Sequence, residues 1–280
     1  MIPDPVDGTF EWKGHTLAFS DYGSGERVLV LMHGLLMNRH MFDRLAPEMA
    51  DRGYRVITID TLGHGASDRP DDMRLYNMPA FGQQLAALID YLELDRPVVG
   101  GTSLGANAAL EFGAAFPGKS RGLFIEMPVL DNALLGATLA FTPVLLGLRF
   151  GRPLLAPLSA LLRRVPRTNL LADIALDWLR QDPGPSRAVL EGILFHRTAP
   201  PHDERVQIAE PALVIGHPSD PLHPFSDAGM LMEEMENARL VDANSILEWR
   251  LAPKRLDDVL AEFLYESFST ETTRSAKSVR

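Results

Sequence analysis

The stretch Arg96–Phe116, RPVVGGTSLGANAALEFGAAF, decides how the rest of the chain is read. An apolar run ending in Val98, Val99, Gly100 and Gly101 meets Thr102, Ser103, Leu104 and Gly105, and an Ala-rich segment (Ala106, Ala108, Ala109, Ala114, Ala115) then runs up to Pro117. The order is strand, sharp turn, helix. Gly101 and Gly105 flank Ser103 in a G-x-S-x-G pattern, and a strained turn needs glycine there because a Cβ would collide with the neighbouring strand and helix. Such a turn lifts the Ser103 hydroxyl above the sheet, and the partly positive N-terminus of the following helix favours a developing oxyanion. The backbone N–H of Leu104 is the first candidate donor to that oxyanion. A short Gly/Ser pattern is also compatible with a purely structural turn; the strand before it and the helix after it favour a nucleophile elbow.

Composition bounds what surrounds this elbow. A chain of 280 residues is ordinary for one α/β domain carrying an inserted subdomain. Hydrophobic residues at 46% and charged residues at 23% fit a globular chain and exclude collagen-like or wholly disordered classes. The net charge of −10 argues against nucleic acid as a partner. Without cysteine there is no disulfide, no zinc-thiolate site and no cysteine nucleophile, and no cofactor or metal is expected. Met1–Trp12 has neither the basic start nor the apolar core of a secretory signal, so a cytoplasmic location is expected.

Before the elbow, Thr9–Tyr22 reads as a hairpin turning at Gly14, placed at a sheet edge. Val28–Met32 is a continuous aliphatic run, as in a strand buried on both faces. It ends at His33 and Gly34, and the loop there can aim a second N–H, assigned to Leu35, at the space above Ser103. His33 itself is read as a structural histidine. Met37–Asp51 carries apolar residues at helical spacing, Val56–Asp60 is a second buried strand, and Thr61–Ser67 is a glycine-punctuated loop with an architectural role. Pro79–Leu94 repeats apolar residues along one helical face.

His33-Gly34, the Asp60–Ser67 stretch with Gly63-His64-Gly65, and the Ser103 elbow together resemble the α/β-hydrolase fold family. The resemblance implies an α/β architecture: a mostly parallel eight-stranded sheet with helices on both faces, and catalytic residues on loops at the C-terminal ends of the strands. It covers residues 28–127 and resumes over 211–268. Residues 1–129 and 211–268 are therefore assigned to the core, and 130–210, rich in Leu, Ala and Pro, to an inserted helical cap. Serine at the elbow is less like the haloalkane dehalogenases and epoxide hydrolases of the same fold, so esterase-like chemistry leads.

Within the cap, Ala133–Leu148 is uncharged, but Pro143 interrupts it and its 16 residues fall short of the ~20 that span a bilayer. It reads equally as a self-packing hairpin and as a lid lining an apolar pocket. Arg149, Arg152, Arg163, Arg164 and Arg167 follow; a solvated face is the plainer reading, contact with anionic head groups or acidic substrates the alternative. Ala212–Gly216 and Ala238–Asp242 resume the strands, Lys254–Phe268 closes with a helix, and 269–280 is expected to be a disordered tail.

Asp220, in the loop after Gly216, sits where the family carries its acid. The family's histidine belongs in the loop after the last strand, but that loop reads Asn244, Ser245, Ile246, Leu247. Asn244 is accordingly placed at the histidine position as a substitution, and an asparagine cannot accept a proton at neutral pH. The one histidine that follows Asp220 is His223, the alternative base. The leading expectation is a serine hydrolase acting on a small-molecule ester or thioester with an apolar acyl part through an acyl-enzyme on Ser103, impaired as written because no histidine occupies the expected position, so that Asn244→His is expected to restore activity in preference to His223 having taken over the role. A non-catalytic binder of an apolar ligand or partner, and acyl transfer or carbon–carbon bond hydrolysis on the same scaffold, stay open.

Overall fold

The computed structural model describes residues 4–166, 170–218, 220 and 222–277. Its sheet has eight strands in the order β1-β2-β4-β3-β5-β6-β7-β8. The hairpin forms as expected: β1 (Val6–Trp12) and β2 (His15–Tyr22) turn through Lys13 and Gly14, both at positive φ, and β1 is the edge strand. β2 runs antiparallel to β4 (Arg55–Ile59). From there β3 (Val28–Met32), β5 (Val98–Thr102), β6 (Gly122–Glu126), β7 (Ala212–Gly216) and β8 (Ala238–Asp242) pair in parallel, so their C-terminal ends share one rim. Every residue of β3, β5, β6 and β7 is buried, which is why these strands are dominated by apolar residues, with Thr102 and Glu126 at the ends of β5 and β6 as the polar exceptions.

Two apolar cores lie on the two faces of the sheet. One packs α2 (Met78–Tyr91) and α3 (Leu104–Ala115) against Val30, Val99 and Ile125. The other packs α1 (Leu45–Asp51) and the closing helix against Leu29, Leu31 and Phe124. The helix expected over Met37–Asp51 is divided into a 3-10 turn at Arg39–Phe42 and α1. Pro47 accounts for the division: it has no N–H to give and its ring crowds the carbonyl four residues back, so a helix tolerates it only in the first turn.

Between β6 and β7 the chain inserts α4 (Leu134–Phe150), α5 (Arg152–Leu162), α6 (Leu170–Arg180), α7 (Pro183–Leu194) and α8 (His202–Arg205). Asn107, one turn into α3, holds both ends of this insertion: its side-chain amide donates to Val129 O (2.7 Å) and Thr198 O (2.6 Å) and accepts from Val129 N (3.1 Å). After β7 come α9 (Phe225–Glu234), α10 (Glu248–Leu251) and α11 (Lys254–Lys277). The helical backbone of α11 continues past Phe268, through most of the expected tail, to Lys277. Residues 278–280, and Arg167 of the arginine group, lie outside the described residues.

Candidate active site

The elbow is built by close approach. Ser103 sits at φ 56°, ψ −110°, outside the comfortable regions for a side-chain-bearing residue. A Cβ at Gly101 or at Gly105 would overlap the Met32 carbonyl oxygen of the adjacent strand, so both must be glycine. The strained turn is held by Ser103 N donating to Glu126 O (2.8 Å) and by the Thr102 hydroxyl donating to the Glu126 carboxylate. Burial would raise the Glu126 pKa, but Arg250, His217 and the Thr102 hydroxyl outweigh it and hold the carboxyl below its usual range.

Above Ser103 stands His223. Its Nε2 is 2.9 Å from Ser103 Oγ and its Nδ1 is 2.9 Å from Asp220 Oδ2. The neutral tautomer that satisfies both contacts carries the proton on Nδ1, donates it to the carboxylate and accepts the serine hydroxyl at Nε2. Asp220 Oδ1 meanwhile accepts the backbone N–H groups of Leu222 (2.8 Å) and His223 (3.1 Å), so the acid is fixed by the turn it begins. Burial pushes the Asp220 pKa up, yet the hydrogen bond and charge of His223 and these two N–H groups prevail and hold the carboxyl below its normal value.

Asn244 is not brought to this cluster. It is exposed, and its backbone and side-chain N–H groups donate to the Glu248 carboxylate, which Arg255 also grips at 2.7 and 2.8 Å. The expectation that the loop after the last strand carries the residue facing Ser103 therefore gives way to His223. The signal for it in the sequence is chain order alone: His223 is the one histidine after Asp220.

Two buried histidines fix the loop that carries Leu35. His33 Nε2 accepts Thr61 N–H (3.2 Å) while its Nδ1–H donates to Gly34 O (2.8 Å), tying the loop after β3 to the loop after β4. His64 Nε2 accepts Leu36 N–H (3.2 Å), with Nδ1 against Thr61 Oγ1 and Leu62 O. Burial drives both imidazoles to the neutral form, His64 down to about 3. Leu36, at φ 57°, thus gives its N–H to His64, and the Leu35 and Leu104 N–H groups beside Ser103 have no acceptor among the described residues.

Ser103, His223, Leu35 and Leu104 open into a cavity of about 510 Å³ whose walls are mainly apolar, with Leu134, Ala137 and Phe141 of α4 facing Leu190 and Ile193 of α7. Among the described residues no group of three or more His, Asp or Glu side chains is placed to hold a metal ion.

Comparison with known proteins agrees with this architecture. Residues 27–154 match the family model for the alpha/beta hydrolase fold. The AB hydrolase superfamily protein YisY of Bacillus subtilis is 33% identical over 103 residues, 37% of each chain, so the matched stretch spans little more than a third of that relative. The human protein named "Putative protein-lysine deacylase ABHD14B" is 32% identical over 149 residues, half of this chain and 70% of that one. Among solved structures, the enol-lactonase from Burkholderia xenovorans LB400 superposes with a TM-score of 0.74 at 21% identity, over 92% of this chain and all of that one, a likeness of fold. With the elbow, the strand order and these matches in agreement, the chain belongs to the α/β-hydrolase fold family.

Proposed function

We propose that the protein is a serine hydrolase that cleaves an ester or thioester with an apolar acyl part, using Ser103 as nucleophile, His223 as general base and Asp220 to orient and stabilise the imidazolium. The observation that carries this reading is the Ser103–His223–Asp220 hydrogen-bonded chain at the floor of a largely apolar cavity. In acylation the Ser103 oxygen attacks the acyl carbon as its proton passes to His223 Nε2. The oxyanion takes the Leu35 and Leu104 N–H groups, and His223 returns the proton to the leaving oxygen or sulfur as the scissile bond breaks. A water activated by the same imidazole then cleaves the acyl-serine. The inserted helices act as a cap whose inner face holds the acyl chain. The non-catalytic alternative drew on the lack of a histidine after β8, and the imidazole 2.9 Å from Ser103 Oγ supports the catalytic reading over it.

The test is covalent labelling with a fluorophosphonate probe followed by mass mapping. Ser103 is expected to carry the adduct, Ser103→Ala to abolish it, and His223→Ala to slow it strongly. Modification of another serine, unaffected by Ser103→Ala, would remove Ser103 as nucleophile.

A further inference from the structure

The outward side of α4 and α5 is apolar, and no described residue covers it. α4 is seventeen residues long and not one of them is buried. Four of its five exposed large apolar residues, Leu135, Leu139, Leu146 and Phe150, follow one another at spacings of four, seven and four, which places them along a single helical stripe, with Leu134 on the cavity side. α5 repeats the arrangement with Leu154 (80% exposed), Leu158 and Leu161, continued by Val165 just beyond it. On α4 the stripe lies opposite the one formed by Ala137 and Phe141, which face the Ser103 cavity. One thin helix therefore separates that cavity from an apolar outer surface, and contiguous apolar surface of this kind marks an interaction site.

Charge identifies what the surface fits. Residues 133–167 contain five arginines and no acidic residue, in a chain whose net charge is −10. Arg149 reaches back to Glu191 (3.2 Å) and Arg163 donates to Arg180 O (3.0 Å). Arg164 is exposed and has no carboxylate partner among the described residues, whereas the Arg152 guanidinium folds back against Gly184 at the start of α7. A second copy meeting this patch about a two-fold axis would set arginines against arginines, with no acid in the stretch to answer them. An anionic bilayer supplies both the apolar phase and the opposite charge. No single described helix is long and apolar enough to cross a membrane, and α4 and α5 meet at a bend of 96°, so the pair forms an L that suits lying along an interface.

We propose that the outer face of α4–α5 is a docking surface for an anionic lipid bilayer, seated with Leu135, Leu139, Phe150 and Leu154 in the acyl boundary and Arg164 among the head groups. Docking goes beyond the hydrolase reading and does not depend on it: Ser103→Ala is expected to dock as the parent does. Its consequence for that reading is short-range delivery, since an apolar substrate dissolved in the bilayer lies one helix away from the cavity.

The experiment is flotation of the full chain with phosphatidylcholine vesicles, with and without a minority of phosphatidylglycerol, in the Ser103→Ala background so that no lipid is consumed. Binding is expected with the anionic vesicles, weakening as salt is raised. The triple variant Leu139→Asn/Phe150→Asn/Leu154→Asn should lower partitioning at least about tenfold. Arg164→Gln should lower it roughly fivefold. In the Ser103-intact background both variants should turn over a soluble short-chain ester at the parent rate, which reports that they fold. A Leu139→Trp reporter should be quenched by bromine-labelled lipid, giving a readout that needs no destabilising change. No flotation, equal binding to neutral and anionic vesicles, or an unquenched Trp overturns the proposal. A lipid-free dimer that the triple variant dissociates, with no vesicle binding by the parent, assigns the face to a second copy instead.

Discussion

His223 stands three residues past Asp220 and places Nδ1 2.9 Å from the carboxylate and Nε2 2.9 Å from Ser103 Oγ, so one short loop after β7 supplies both partners of the serine. The loop after β8 is thereby free for structure, and Asn244 is spent on Glu248. Under the proposed mechanism His223→Ala should lower kcat by on the order of 10⁴- to 10⁶-fold, and adding Ser103→Ala should cost little more because the residues act as a unit. Asn244→His should add nothing to the parent rate. Steady-state hydrolysis of an activated ester checks this, and a parent that keeps its rate after His223→Ala would exclude the imidazole as base.

The contrast between Ser103 and His223 separates what is legible in a sequence from what is not. The elbow is local: its glycines, its strand and its helix are consecutive, and the sterics that require them act within a few residues. The same holds for the buried parallel strands and for the hairpin at Gly14. The candidate base is a matter of loop conformation: the turn at Asp220 folds His223 toward Ser103, and residue order alone leaves His223 and the loop after β8 as rivals. The division of Met37–Asp51 was readable from Pro47, since apolar spacing alone does not report a missing N–H. The burial of His33 and His64 was half legible: the architectural role follows from the glycine-rich loops, but that they steer neighbouring N–H groups needs the packed structure.

The buried His64 makes stability depend on pH on the acid side. Its folded pKa, lowered to about 3 by burial and by His33, lies below the value of ~6.5 for an unfolded histidine. Between those values the unfolded chain binds the extra proton, so stability is full above about pH 6.5 and falls as pH drops through the window. From pH 7 to pH 5 the loss from this one group is on the order of 2 kcal/mol. Thermal melts of the parent and His64→Gln across that range should show a shallower slope in the variant; parallel slopes would mean that His64 is not held neutral.

Asp227, fully buried on α9, accepts the N–H groups of Leu130 (2.7 Å), Asn132 (3.1 Å) and Ala133 (3.2 Å), the residues that lead into α4. Asp227→Ala strands three donors where water cannot fully replace the carboxylate, and a cost of about 3 kcal/mol or more is expected. Denaturant unfolding measures it, and Asp227→Asn, which keeps one acceptor oxygen, should recover part of the loss. A loss below about 1 kcal/mol, the size of one ordinary hydrogen bond, would show that the loop finds other partners.

The cavity makes the last prediction quantitative. At about 510 Å³ it falls within the range of small-molecule sites, and its apolar walls include residues of α4 and α7. Each methylene that an acyl chain buries there contributes ~0.8 kcal/mol, roughly fourfold in kcat/KM per carbon if the gain is expressed in the transition state. A para-nitrophenyl ester series should therefore rise over several carbons above acetate and level off where the chain meets the far wall. Ala137 lies on the α4 wall, where added bulk projects into the path of the chain and not into the packed sheet. Ala137→Phe should move the levelling point to a shorter acyl chain, lowering kcat/KM for long esters by far more than for short ones. The ratio of the two, measured on one enzyme preparation, cancels any general loss of folded protein. A series that is flat in the parent, or a levelling point that Ala137→Phe does not move, would show that α4 covers the serine without gripping the acyl chain.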